Sequence, residues 1–119
     1  MYNVKVDTAK KCLFITLEGF MQEDEVKKAA DLVVSSLPKL PKGFTVVNDI
    51  SQFKPASREA GEYIKLAQAA IFQKGVSKVI RVTGKSFVGK LQFERTKKEV
   101  NATYETVEVA TMEDALKLL

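Results

Sequence analysis

The sequence predicts an α/β fold: a single domain on a mixed, mostly parallel five-stranded sheet with helices on both faces, in the order ββαβαβαβα. Three observations carry this expectation. The chain has 119 residues, the commonest size for one domain around one core. Hydrophobic residues make up 45% and charged residues 29%, with only 6 Gly and 3 Pro, which is ordinary globular usage. After an opening pair of alternating segments, strand-like and helix-like patterns take turns to the end, the order of a parallel sheet with right-handed crossovers. There is no internal repeat or low-complexity tract. The most linker-like stretch, residues 37–43, is only long enough to join a helix to a strand.

Residues 3–7 and 12–18 read as a hairpin. Val4, Val6, Leu13, Ile15 and Leu17 alternate along it, and residues 7–11 supply the turn. Gly19 breaks the second strand. Glu23, Asp24 and Glu25 then crowd a helix start, where carboxylates meet the positive end of the macrodipole. Val26, Ala29, Ala30, Val33 and Leu37 form one apolar stripe before Pro38 ends the helix. Residues 44–50 are β-branched and nearly uncharged, the pattern of a central strand. Ser57 is placed to cap a second helix, whose stripe runs through Ala60, Tyr63, Ile64, Ala67, Ala70 and Ile71 to a stop at Gly75. Residues 79–82 form the next strand, 86–100 a helix, 104–109 a last strand and 111–119 a last helix. Thr111 and Asp114 stand in capping-box spacing at its start.

Composition excludes several classes of activity. Cys12 is the one cysteine, so no intramolecular disulfide exists, as suits a reducing compartment. There is no histidine, which removes Ser-His-Asp, Cys-His and histidine general-base chemistry. No apolar run reaches the roughly 20 residues of a membrane span, and the first residues lack a leader's apolar stretch. A cytoplasmic location is therefore expected. The net charge of +4 is uneven: residues 54–98 carry 11 basic and 3 acidic side chains, and residues 99–119 carry 1 and 5. Such a segment is either a solvated face or a basic surface for phosphates, anionic headgroups or an acidic partner. Nucleic acid is not expected, because no reading motif accompanies the charge.

Four stretches, together with the element order, resemble the bacterial SpoIIAA-like family, which belongs with the STAS domains and more distantly with the lipid-exchanging CRAL-TRIO domains. They are Leu17-Glu18-Gly19-Phe20-Met21, residues 46–53 (Val-Val-Asn-Asp-Ile-Ser-Gln-Phe), residues 78–84 (Lys-Val-Ile-Arg-Val-Thr-Gly) and residues 110–116 (Ala-Thr-Met-Glu-Asp-Ala-Leu). The resemblance spans nearly all of residues 1–119. It implies a regulatory or protein-interaction domain. It also places Asp49 where STAS antagonists end the central strand with Asp, and Ser57 near their phosphorylated Ser or Thr. Where regulatory members carry an Asp-Ser-Ser-Gly type of signature, this chain has Lys54-Pro55-Ala56-Ser57. From the residues alone, Ser57 is sufficiently explained as a helix cap.

Gly84-Lys85-Ser86 has the tail of a phosphate-binding loop between a strand and a helix, but the glycine required five residues earlier is Val79. What remains is an anion site at the helix start, with Gly84 and Lys85 as its residues. In the following helix, Phe87, Val88 and Leu91 share one side at about 100° per residue, and Phe93 and Val100 fall nearly opposite. One side can pack on the sheet. The other allows a neighbouring helix or loop, a homodimer interface, a lid over an apolar pocket or a membrane surface. Phe87, Leu91 and Phe93 are thus the pocket candidates.

These readings converge on a non-enzymatic domain that binds another protein and itself, as a homodimer, with no cofactor and no metal. The alternative is carriage of a small amphiphile in an apolar pocket near residues 84–100, at an anionic membrane surface or away from one. The residues an enzyme would use are Asp49, Ser57 and Lys85, at loops that follow strand carboxyl ends.

Overall fold

The computed structural model describes residues 1–85 and 87–119, with the side chain of Phe87 outside the description. It contains β1 (Tyr2–Asp7), β2 (Cys12–Gly19), α1 (Glu23–Ser36), a 3-10 turn at Leu37–Lys39, β3 (Thr45–Phe53), α2 (Arg58–Lys74), β4 (Lys78–Val82), α3 (Phe87–Glu99), β5 (Glu105–Val109) and α4 (Met112–Leu116). The strands lie side by side in chain order. β1 pairs antiparallel with β2, and every later pairing is parallel. The principal extents are 34 × 26 × 25 Å.

A sheet that grows in one direction, with one hand of crossover repeated three times, lays every crossover helix on the same face. Accordingly α1, α2 and α3 all cover one face, and only the short α4 reaches the other. The two-sided covering expected from the sequence is therefore unequal. On the thick side, Leu13, Ile15, Val46, Ile50 and Val79 meet Val26, Ala29, Val33, Ile64, Ile71 and Phe93. On the thin side, Cys12, Val47, Ile80 and Val82 meet Ala115, with Phe14, Val109 and Met112 at the margin. β3 runs three residues past Ile50, because β2 and β3 resume pairing beyond a register shift and Gly19 lies opposite Phe53.

The ends of the helices follow from local chemistry. The Ser57 hydroxyl accepts from the Ala60 amide at 3.1 Å, and the Thr111 hydroxyl accepts from the Asp114 amide at 3.1 Å. Gly75 closes α2 at φ +93°, a left-handed conformation that glycine adopts without penalty. A Cβ there would also lie 2.8 Å from Lys42 Cγ.

Part of the basic excess of residues 54–98 is folded against acids of its own segment and of the acidic segment that follows it. Lys65 pairs with Glu62 and Glu99, Arg95 with Glu99, and Lys90 with Glu108. The charge asymmetry of the sequence is thus in part an internal complementarity between α2, α3 and β5.

Two expectations follow. Ser57→Ala should lower stability by about 1 kcal/mol in urea titrations, whereas Ser57→Asp, which keeps an acceptor at the cap, should retain it; equal losses would contradict the capping role. Burial pushes the Cys12 thiol up from 9.0 to about 11. An acid raised in this way keeps its proton in the folded state, so its stabilisation is full below pH 9 and is lost as pH rises through 11. Stability should fall by on the order of 2 kcal/mol across that window, and Cys12→Ala should flatten the decline.

Candidate functional site

The thick side of the sheet carries three polar residues at positions where the pattern calls for apolar ones. Asn48 lies between Val46 and Ile50 on β3 and pairs in register with Arg81 of β4. Arg81 shares its sheet face with Val79, and Gln68 falls between Ile64 and Ile71 on the buried stripe of α2. All three are enclosed, with exposures of 7% for Asn48, 5% for Gln68 and 1% for Arg81.

Their environment is a cavity of about 50 Å³ between the sheet and α1, α2 and α3. Ile15, Leu17, Val46 and Val79 form its floor; Val26, Val33, Ile64 and Ile71 line it from α1 and α2, and Phe93 from α3. Ala29 and Ala30 on α1 and Ala67 on α2 belong to the same lining. Small side chains on both packed helices leave the gap, since larger ones would fill it. Tyr63 and Tyr104 complete the wall. A water needs on the order of 10–15 Å³ of such space, so the cavity as it stands holds a few waters or one small group.

Each of the three polar residues leaves one buried atom without a hydrogen-bond partner from the protein: Asn48 Oδ1, Gln68 Oε1 and Arg81 Nε. Buried polar atoms are satisfied in the large majority of cases. Leaving one unmet costs about 1–3 kcal/mol, so three around a single cavity require an explanation. The remaining contacts of Gln68 and Arg81 are specific. Gln68 Nε2 donates to the Phe93 carbonyl at 3.1 Å, which fixes the amide and assigns its oxygen as the unmet atom. Arg81 donates through NH1 to Glu94, an ion pair between β4 and α3, and its guanidinium carbon lies 5.7 Å from the centre of the Phe93 ring. Phe93 also meets the Phe53 ring edge-on, with ring centres 5.6 Å apart.

α3 is pinned at a second point. Gln92 accepts from the Ala56 amide at 2.9 Å and donates to the Ala56 carbonyl at 3.0 Å, so the strap before α2 is clamped to the middle of α3. Thr96 returns its hydroxyl to the Gln92 and Phe93 carbonyls. Farther along, Lys97 donates to Thr106 at 2.9 Å and lies 4.7 Å from the Tyr104 ring centre. Burial is the largest influence holding Lys97 below the ordinary lysine range; Glu94 opposes it and Arg81 adds to it. Burial also pushes Tyr104 up to about 12.

The residues singled out from the sequence are distributed over several places. Phe93 is buried and lines the cavity. Leu91 is turned outward, 49% exposed, beside Val88 at 59%, so the packed side of α3 is that of Gln92, Phe93 and Thr96. The cavity lies deeper than residues 84–100, and among the described residues of that segment Phe93 alone lines it. The side chain of Phe87, and Ser86, lie outside the described residues. Asp49, Gly84 and Lys85 line a separate open crevice of about 600 Å³ at the carboxyl ends of β3, β4 and β5, with Ser51, Thr111 and Met112. This is where connections diverge, because the chain leaves β4 for the thick side and β5 for the thin side. Asp49 Oδ1 is engaged by the Ser51 amide at 3.0 Å and hydroxyl at 2.7 Å. Gly84 approaches closely enough that a Cβ would lie 3.0 Å from that of Ser51. Ser57 is not among the residues lining the crevice.

Among the described residues, no group of three or more His, Cys, Asp or Glu side chains could hold a metal ion. No helix among them is long and apolar enough to cross a membrane. Comparison with protein-family models, curated proteins and solved structures returns no match for the chain.

Because Arg81 is fully buried, Glu94→Ala should lower stability by about 1–3 kcal/mol in urea titrations. The double variant Arg81→Met with Glu94→Ala should recover most of that loss, since an apolar side chain of similar length needs no counter-charge. Additive losses would mean that the pair is incidental.

Proposed function

We propose that this chain is a binding domain for a small, predominantly apolar molecule held between the sheet and α1, α2 and α3. The observation that carries this reading is an apolar cavity three of whose lining residues each hold a buried polar atom with no partner from the protein. Apolar walls with a few placed polar groups are the usual composition of small-molecule sites. The cavity is below the roughly 300 Å³ of a drug-sized site, so admission of a longer molecule requires α1 and α2 to part along their alanine-lined seam. The resemblance to the SpoIIAA-like family, through that family's distant relation to the lipid-exchanging CRAL-TRIO domains, supports the same reading.

A second reading has its own support. The open crevice at the ends of β3, β4 and β5, with Asp49 and Lys85 on its lining, suits contact with another protein in a SpoIIAA-like or STAS-like domain, including a second copy of this chain. Light scattering coupled to size exclusion addresses it: a dimer would support self-association, and a strict monomer at all concentrations would count against it.

For the leading reading the probe is hexan-1-ol. Saturation-transfer NMR should detect its binding, and the melting temperature should rise with its concentration. Ala67→Leu, which extends an apolar side chain into the cavity, should abolish both effects while leaving the fold intact. Absence of binding to the unaltered protein, or undiminished binding to the variant, would refute the cavity as the site.

A further inference from the structure

The unpaired atoms at the cavity differ in kind. Gln68 Oε1 and Asn48 Oδ1 are acceptors, and Arg81 Nε–H is a donor. The guanidinium is paired with Glu94 through NH1, and its Nε–H is the donor left open. From this we infer that the polar part of the occupant is an uncharged group that both donates and accepts hydrogen bonds, a hydroxyl or a primary amide, and not a carboxylate or a phosphate. The inference rests on the cavity reading above and adds the chemistry of the head group.

The argument is one of matching. A hydroxyl gives its proton to the Gln68 or Asn48 oxygen and accepts from Arg81 Nε–H with a lone pair. A primary amide has two protons for the two oxygens and a carbonyl for Arg81. A carboxylate has acceptors only. Placed against Arg81 Nε it would turn its remaining lone pairs toward two carbonyl oxygens, in a site where Glu94 already stands as counter-ion. An alkyl terminus would leave all three atoms unmet. The orientation of Gln68 is not free to reverse, because its amide nitrogen is committed to the Phe93 carbonyl at 3.1 Å. The three side chains sit on three different elements, β3, α2 and β4, so no single local turn or cap explains their presence on the lining of one cavity.

The test compares probes of equal chain length: hexan-1-ol, hexanamide, hexanoate and hexane, each titrated into the intact protein by NMR at pH 7. Hexan-1-ol and hexanamide should bind at least tenfold more tightly than hexane and hexanoate. Gln68→Leu should remove that preference while hexane binding is kept or improved. Asn48→Val provides the same comparison if the Gln68 variant does not fold, and loss of the preference in either supports the inference. Equal binding of all four, or tightest binding of hexanoate, would overturn the head-group assignment while leaving the cavity as a binding site. Failure of every probe to bind would overturn the cavity reading itself and leave the space to water.

Discussion

The structure is organised around a buried cation. Arg81 is placed on the covered face of the sheet by the alternation of β4, between neighbours that are all enclosed. A guanidinium cannot stay there unless a counter-charge comes to it. Glu94 supplies that charge from α3, and this sets how the helix lies on the sheet. With Glu94 over Arg81, Phe93 falls against the guanidinium and Phe53, and its backbone carbonyl is presented to Gln68 of α2. Gln92, one residue earlier, clamps the strap that leads into α2. One electrostatic requirement thus fixes two helices and a loop.

The cavity is the complement of that arrangement. Large side chains on β2, β3 and β4 and at the ends of α1 and α2 close the core, while alanines on both helices leave a gap beside the polar cluster. Filling it with leucine-sized residues would be the simplest way to gain stability, since packed cores are favoured over voids. Unpaired amide oxygens beside the gap compound the loss. Forgoing packing and hydrogen bonding at one spot breaks the local rules that the rest of the core obeys, and the proposed binding role accounts for that break.

Much of this architecture could be read from the residues. Caps at Ser57 and Thr111 and the glycine stop at Gly75 are local signals, decided within a turn of the chain, and each acts as expected. The strands were readable because alternation or continuous apolarity is imposed by the sheet itself. The distribution of helices between faces was not local. It depends on the spatial order of strands, which no periodicity reports. The polar cluster was missed although its signal is present: Asn48, Gln68 and Arg81 each occupy a position where the strand parity or helix stripe calls for an apolar residue. In α3 the reverse occurred. The sequence of α3 offers two apolar sides, and the buried charge on β4 selects the Phe93 side, leaving Val88 and Leu91 outward. Of the residues that topology places at strand carboxyl ends, Asp49 and Lys85 do lie together, with Gly84 beside them, whereas Ser57 serves its helix and stands apart from them.

The measurement that bears most directly on this account is the 15N–1H signal of the Arg81 side-chain Nε–H during titration with hexan-1-ol. The chain has three arginines, Arg58, Arg81 and Arg95, so internal controls are built in. The account predicts that the Arg81 signal alone moves and saturates, as its unpaired donor gains a partner. An Arg81 signal that stays fixed, or that moves no more than those of the two exposed arginines, would contradict it.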